Sequence, residues 1–264
     1  MFLGGSKMIT LKGLGHKKVL IIVFSVFIVV GLLFYFPHMG KVKASAPIET
    51  GLQELYSEEL KMGYYLYIPE GYNAKQKTKY PLILHLHGAN ATGNGKNELL
   101  KVKSHGLKSL LHNASSRDCL VLAPQAKSRW KDDELDKLLD EVTSTYSIDI
   151  NRIYLTGVSM GGYGAWSYAV NGNYKLAALV PICGFFHISN EVVNELKEMP
   201  IWLFHGEKDK SVNVGEAYQA IKKLEGVDPN FKYTIYENGT HTIWDEVYET
   251  SELYDWLLEQ AREK

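Results

Sequence analysis

Ile153-Tyr154-Leu155-Thr156-Gly157-Val158-Ser159-Met160-Gly161-Gly162 joins three local patterns in ten residues. Its first four residues are a short β-prone run, and the residues after Gly162 turn at once to apolar spacing of helical period. Between them stands G-x-S-x-G. A strand that passes through this pentapeptide into a helix must turn sharply enough to lift the serine hydroxyl out of the sheet. Gly157 and Gly161 let neighbouring backbone approach where a Cβ would collide. In a chain with 23 glycines the pentapeptide arises by chance in roughly one case in eight, so the flanking strand and helix carry the reading.

On either side of this stretch, short β-rich runs alternate with longer stretches of period near 3.6. Strands are expected at 64–68, 82–86, 120–123, 153–156, 177–182, 201–204 and 233–236, and helices at 97–111, 134–146, 160–170, 191–198, 214–224 and 244–260. Several strands are apolar at consecutive positions, as parallel strands covered by helices on both faces must be. The fold class is therefore α/β, a mostly parallel central sheet with helices on both faces. In such sheets ligands collect beyond the carboxyl ends of the strands.

Three more strand ends carry chemistry. His205-Gly206-Glu207-Lys208-Asp209 follows one strand, and Asn238-Gly239-Thr240-His241 follows the last. A serine hydroxyl is a poor nucleophile until a base takes its proton, and an imidazole needs a carboxylate to fix its tautomer. Ser159, Asp209 and His241 supply these three groups in that chain order, with Glu207 as the competing acid. Leu84-His85-Leu86-His87-Gly88-Ala89 ends a further strand. The backbone N–H groups of Ala89 and Met160 are placed to receive a developing oxyanion, Met160 standing at a helix start. His85 and His87 read as structural histidines, because no Cys/His cluster completes a metal shell around them. No metal and no cofactor is expected.

With these residues in view, the run from Tyr64 to Trp256 resembles the small bacterial α/β-hydrolase esterases grouped with dienelactone-hydrolase and prolyl-oligopeptidase catalytic domains. The resemblance rests on residues 64–72, 81–89, 151–164, 204–209 and 240–244. It implies Ser159 as nucleophile, His241 as base, Asp209 as its orienter, and Met160 with Ala89 as oxyanion donors. It also places Trp130 and Trp244 beside the site as substrate-binding aromatics. The chain departs from the pattern at residues 89–94, where relatives often carry a glycine and charged residues, so the resemblance does not carry over the acyl or alcohol preference of that loop.

Composition bounds the rest. Of 264 residues 45% are apolar and 22% charged, which fits a globular protein. Residues 1–46 hold six of the 29 basic residues and none of the 30 acidic ones, leaving 23 basic against 30 acidic in 47–264. That acidic balance argues against nucleic acid as a partner. Lys7, Lys12, Lys17 and Lys18 precede the apolar run Val19 to Phe36, long enough to meet a bilayer and oriented so that everything after it is exported. Retention as an anchor and cleavage near Ala44 or Ala46 are both compatible with these residues. The expected organisation is a Lys-rich start and membrane segment over 1–46 and a catalytic domain over 47–264, outside the cell membrane or secreted. Only residues 183–200 separate the strand expected at 177–182 from its successor, too few for a lipase-type lid. The expected function is a serine carboxylesterase for short-chain or aryl esters, small or polymer-attached. A serine peptidase of the prolyl-oligopeptidase-like type and a non-catalytic hydrolase-fold binding protein are the alternatives. Cys119 and Cys183, on strands that others separate, are expected to be free thiols. Oligomeric state is not legible.

Overall fold

The structure, a computed structural model, describes residues 48–77 and 79–262. The expected membrane segment lies outside the described residues, and among these no helix is long and apolar enough to cross a membrane. Among the described residues eight strands form one sheet: β1 (Gly51–Ser57), β2 (Met62–Ile68), β3 (Tyr80–Leu86), β4 (Leu120–Pro124), β5 (Ile148–Val158), β6 (Ala178–Ile182), β7 (Ile201–Gly206) and β8 (Phe231–Tyr236). Their spatial order is β1-β2-β4-β3-β5-β6-β7-β8. β2 runs antiparallel to both of its neighbours, and every pairing from β4 to β8 is parallel.

Among the described residues seven α-helices accompany the sheet: α1 (Leu107–Ala114), α2 (Asp132–Thr145), α3 (Met160–Asn171), α4 (Asn190–Leu196), α5 (Gly215–Leu224), α6 (Trp244–Glu249) and α7 (Ser251–Glu259). Leu107 and Leu110 of α1, Val247 of α6 and Leu253 and Leu257 of α7 pack with Ile83, Val121 and Tyr154 in one core. The alternate strand residues Leu82, Leu84, Leu122 and Leu155 are equally buried. Because side chains alternate across a strand, both faces of the sheet are covered, which is why the central strands are apolar at every position.

Three expectations on the elements are corrected. β1 was not anticipated: its alternation of exposed and half-buried residues is that of an edge strand, and its pairing with β2 supplies what its composition does not. The single helix expected at 97–111 is a 3₁₀ turn (Leu99–Ser104) and then α1, parted at Gly106 with φ +80. A Cβ at Gly106 would lie 2.6 Å from the Tyr248 ring, so this chain reversal requires glycine. The helix expected at 244–260 is likewise two, α6 and α7, parted at Thr250 in extended conformation. Both cysteines are free and buried. β3 and β5 stand between β4, which begins just after Cys119, and β6, which ends just before Cys183.

Candidate active site

β5 ends at Val158 and α3 begins at Met160, leaving Ser159 alone to make the turn with φ +55 and ψ −115. A non-glycine residue there is strained, and the surroundings enforce it. The Ser159 amide donates to the Ile182 carbonyl at the end of β6 (2.9 Å), and its carbonyl accepts from the Tyr163 amide (3.0 Å). The two flanking glycines are needed for close approach: a Cβ on Gly157 would stand 2.1 Å from the Gly161 carbonyl oxygen, and one on Gly161 2.0 Å from that of Leu86. This second contact seats the start of α3 against the end of β3.

The structure brings the three sequence-derived residues into one hydrogen-bonded line. Asp209 Oδ2 lies 2.7 Å from His241 Nδ1, and His241 Nε2 lies 2.8 Å from Ser159 Oγ. Burial pushes the Asp209 carboxyl up, but hydrogen bonds from His241 and from the Val212 and Ser211 amides outweigh it and hold the carboxyl below its ordinary value. An ionised carboxylate only accepts, so Nδ1 carries the imidazole proton and Nε2 is free to accept from Ser159. Glu207 turns away: it is exposed and accepts a hydrogen bond from the Tyr218 hydroxyl. Such an arrangement lets an alkoxide form at Oγ as the proton passes to Nε2.

Two clefts meet at Ser159. One, of about 470 Å³, is lined by Ala89, Met160, Trp130, Tyr163, Phe185, Val212 and Arg129. The other, of about 590 Å³, is lined by His241, Thr242, Trp244, His105, Ser211, Asn90 and the Gly88–Ala89 turn, with Ser104 beside them. As the first residue of α3, Met160 has no intrahelical partner for its amide, and with Ala89 it borders the same cleft as Ser159. The loop after β3 is pinned in place by its neighbours. His105 Nδ1 accepts from the Gly88 amide (3.0 Å), Trp130 Nε1 donates to the His87 carbonyl (3.1 Å) and Gln125 Nε2 donates to the Ala91 carbonyl (2.9 Å).

Trp130 walls the first cleft. Trp244 is largely buried and meets the His241 ring edge-on, with centroids 5.8 Å apart, so it braces the imidazole as well as bordering the second cleft. Sequence reasoning did not find Arg129, Tyr163, Phe185, Val212, His105 or Gln125. They come from several loops and from the first turn of α3 and share no mutual spacing, so nothing local in the sequence groups them.

His85 and His87 are structural, and their partners show why. His85 Nδ1 donates to the Tyr248 hydroxyl (3.2 Å), which reaches Thr156 Oγ1 (2.8 Å), which donates to the Val180 carbonyl. The Nε2 of His85 is buried without a partner. His87 donates from Nδ1 to the Gly88 carbonyl and accepts at Nε2 from the Ala126 amide. Burial dominates at both rings and lowers the two to about 3 and about 4. Unfolded histidines titrate near 6.5, so between those values the unfolded chain holds more protons and the fold loses stability as pH falls. The expected slope is about 1.4 kcal/mol per pH unit for each histidine. Urea unfolding midpoints at pH 7 and pH 5 check this, and equal stability at the two would contradict it.

A mostly parallel eight-stranded sheet carrying a strand–Ser–helix elbow, with an acid after β7 and a histidine after β8, defines an α/β-hydrolase. Residues 124–253 match the phospholipase/carboxylesterase family model. The chain is 31% identical over 185 residues to a bifunctional acetylxylan esterase/xylanase of Neocallimastix patriciarum, covering 62% of this chain and 25% of that one. It is 36% identical over 69 residues to an acyl-protein thioesterase 1 homolog of Dictyostelium discoideum, covering 25% and 31%. The chain thus spans about a quarter to a third of the length of these relatives. Among solved structures it is similar to a thermostable esterase (31% identity, TM-score 0.68, 80% of this chain and 63% of that one). A ferulic acid esterase shares the fold at 17% identity, with a TM-score of 0.59 over 79% of this chain and 96% of that one. The chain has the α/β-hydrolase fold and resembles esterases of that fold.

Proposed function

We propose that this protein is a serine carboxylesterase acting through an acyl-enzyme on short-chain or aryl esters. The observation that carries the reading is the unbroken line Ser159 Oγ–His241–Asp209 at 2.8 and 2.7 Å, placed where two clefts meet. In this scheme Ser159 Oγ attacks the ester carbonyl as its proton passes to His241 Nε2. The oxyanion forms against the Met160 and Ala89 amides, each such donor being worth about 3 kcal/mol in barrier. The imidazolium then protonates the departing alkoxide, and water repeats the sequence to release the acid.

This chemistry assigns the clefts. The departing oxygen must lie within reach of Nε2, so the alcohol occupies the cleft that contains His241 and the acyl group the one beside Met160. Apolar walls from Trp130, Tyr163, Phe185 and Val212 suit an aryl or short alkyl acid. Asn90, Ser104, Ser211 and Thr242 suit a hydroxylated alcohol, including one that is part of a polymer, as the name of the acetylxylan esterase relative would have it. The Lys-rich start and the apolar run 19–36 support a location at the outer face of the cell membrane or beyond it. Protease accessibility on intact cells tests that part.

An amide nitrogen must be protonated as it leaves and needs extended contacts to hold that geometry, whereas an aryl ester departs readily as an oxyanion. Aryl or acetyl esters are therefore expected to exceed their matched anilides in kcat/KM by at least about a hundredfold, or ~2.7 kcal/mol in barrier. Parallel assays on one preparation measure it. Equal or faster cleavage of the anilide would put the peptidase reading first.

A further inference from the structure

Behind Asp209, away from the clefts, lies a buried group that the scheme above does not use. Cys183 Sγ, a His205 ring nitrogen and an Asp209 carboxylate oxygen lie within 4.8 Å of one another, all three residues being buried. The cluster has the composition of a cation site, but its donors are already engaged. Asp209 Oδ1 accepts from the Ser211 and Val212 amides (2.8 and 2.9 Å) and Oδ2 from His241. Burial raises the Cys183 thiol to about 12, so it remains S–H. What the cluster does instead follows from His205. Its Nε2 lies 2.9 Å from the Val212 carbonyl and 3.3 Å from Asp209 Oδ2. Both oxygens only accept, so Nε2 carries a proton. The Val212 residue is thereby gripped at both ends, its N–H by Asp209 and its C=O by His205. Val212 walls the acyl cleft and Ser211 borders the other.

We infer that His205 is a positioning residue: its single Nε2–H holds the loop 209–212 and stands against Asp209, so one buried imidazole fixes both the acid that orients His241 and the Val212 wall beside the acyl group. The role rests on the reading of Ser159, His241 and Asp209 as catalytic. It explains why the penultimate residue of β7 is a fully buried histidine when an apolar side chain would fill the space at lower cost.

The test compares His205→Leu, which fills the volume without a donor, with His205→Gln, whose amide N–H reaches the same place as Nε2. For an acetyl ester, kcat of the Leu variant is expected to fall about thirtyfold, the value of one hydrogen bond to a charged partner. Its KM for an aromatic acyl ester is expected to rise as Val212 shifts. The far-downfield proton resonance of His241 Nδ1–H should be lost as well. Gln should restore all three to within about threefold. A space-filling role predicts the opposite order, Leu milder than Gln, and that order would overturn the inference, as would a Leu variant with unchanged kcat and resonance. If Leu does not fold, Met takes its place, and a folded Gln variant lacking both the resonance and most of its kcat is by itself contrary. Ser159→Ala run alongside separates the two ideas. Activity surviving in Ser159→Ala means the site is misassigned, whereas activity lost there but kept in His205→Leu removes only the role of His205.

Discussion

Replacing Ser159 by Ala is expected to abolish fluorophosphonate labelling and lower kcat on the order of 10⁶-fold, leaving only the contribution of the oxyanion donors and of binding. The fold should survive. Oγ makes its hydrogen bond to His241 alone, and the bonds that hold the turn are backbone bonds, from the Ser159 amide to Ile182 and from the Tyr163 amide to the Ser159 carbonyl. Alanine meets the same positive φ that serine already tolerates, so the melting temperature should move by no more than a few degrees, within the range of a surface substitution. Turnover and labelling measured on the same folded sample decide the matter. Near-normal turnover in the variant would move the nucleophile elsewhere. Loss of labelling with loss of fold would be read from the melting curve.

The line Ser159–His241–Asp209 was legible in the sequence because each member sits within five residues of the carboxyl end of a strand. A β-rich run followed by glycine marks a strand end without knowledge of the strand order. The elbow was legible for the further reason that close approach leaves a chemical trace: Gly157 and Gly161 stand where backbone oxygens come within about 2 Å of an imagined Cβ. The walls of the clefts were not legible. Trp130 precedes α2, Tyr163 lies on the first turn of α3, Phe185 follows β6 and Val212 follows β7, and nothing local distinguishes an aromatic that lines a cleft from one that fills a core. Trp244 shows the same limit, since it does both. β1 was missed because an edge strand buries little, so its pattern reflects solvent more than sheet. The break at Gly106 was missed because its cause is the Tyr248 ring, far along the chain. His205 was visible only as a letter in His-Gly-Glu-Lys-Asp. Its role depends on which oxygens the turn beyond it presents, and that is a property of the folded loop.

The choice between the two acids of that loop yields the second large effect. Asp209→Asn keeps the shape of the side chain but exchanges one oxygen for an NH₂. The two amides of Ser211 and Val212 demand an acceptor at the Oδ1 position, so the carboxamide oxygen is fixed there and the NH₂ faces His241. The NH₂ can only donate to Nδ1. His241 must then carry its proton on Nε2, the atom that has to accept from Ser159 Oγ, and the base is in the wrong tautomer. The same change in a serine-protease triad costs about 10⁴-fold in kcat, and a loss of that order is expected here with KM little changed. Glu207→Gln should by contrast stay within about twofold, because its exposed carboxylate meets only the Tyr218 hydroxyl and a surface contact of that kind is worth a few tenths of a kcal/mol. Steady-state kinetics on the two variants with one aryl ester suffice. Should Glu207→Gln prove the more damaging, the hydrogen bond from His241 Nδ1 to Asp209 would not be the one that sets the tautomer during turnover.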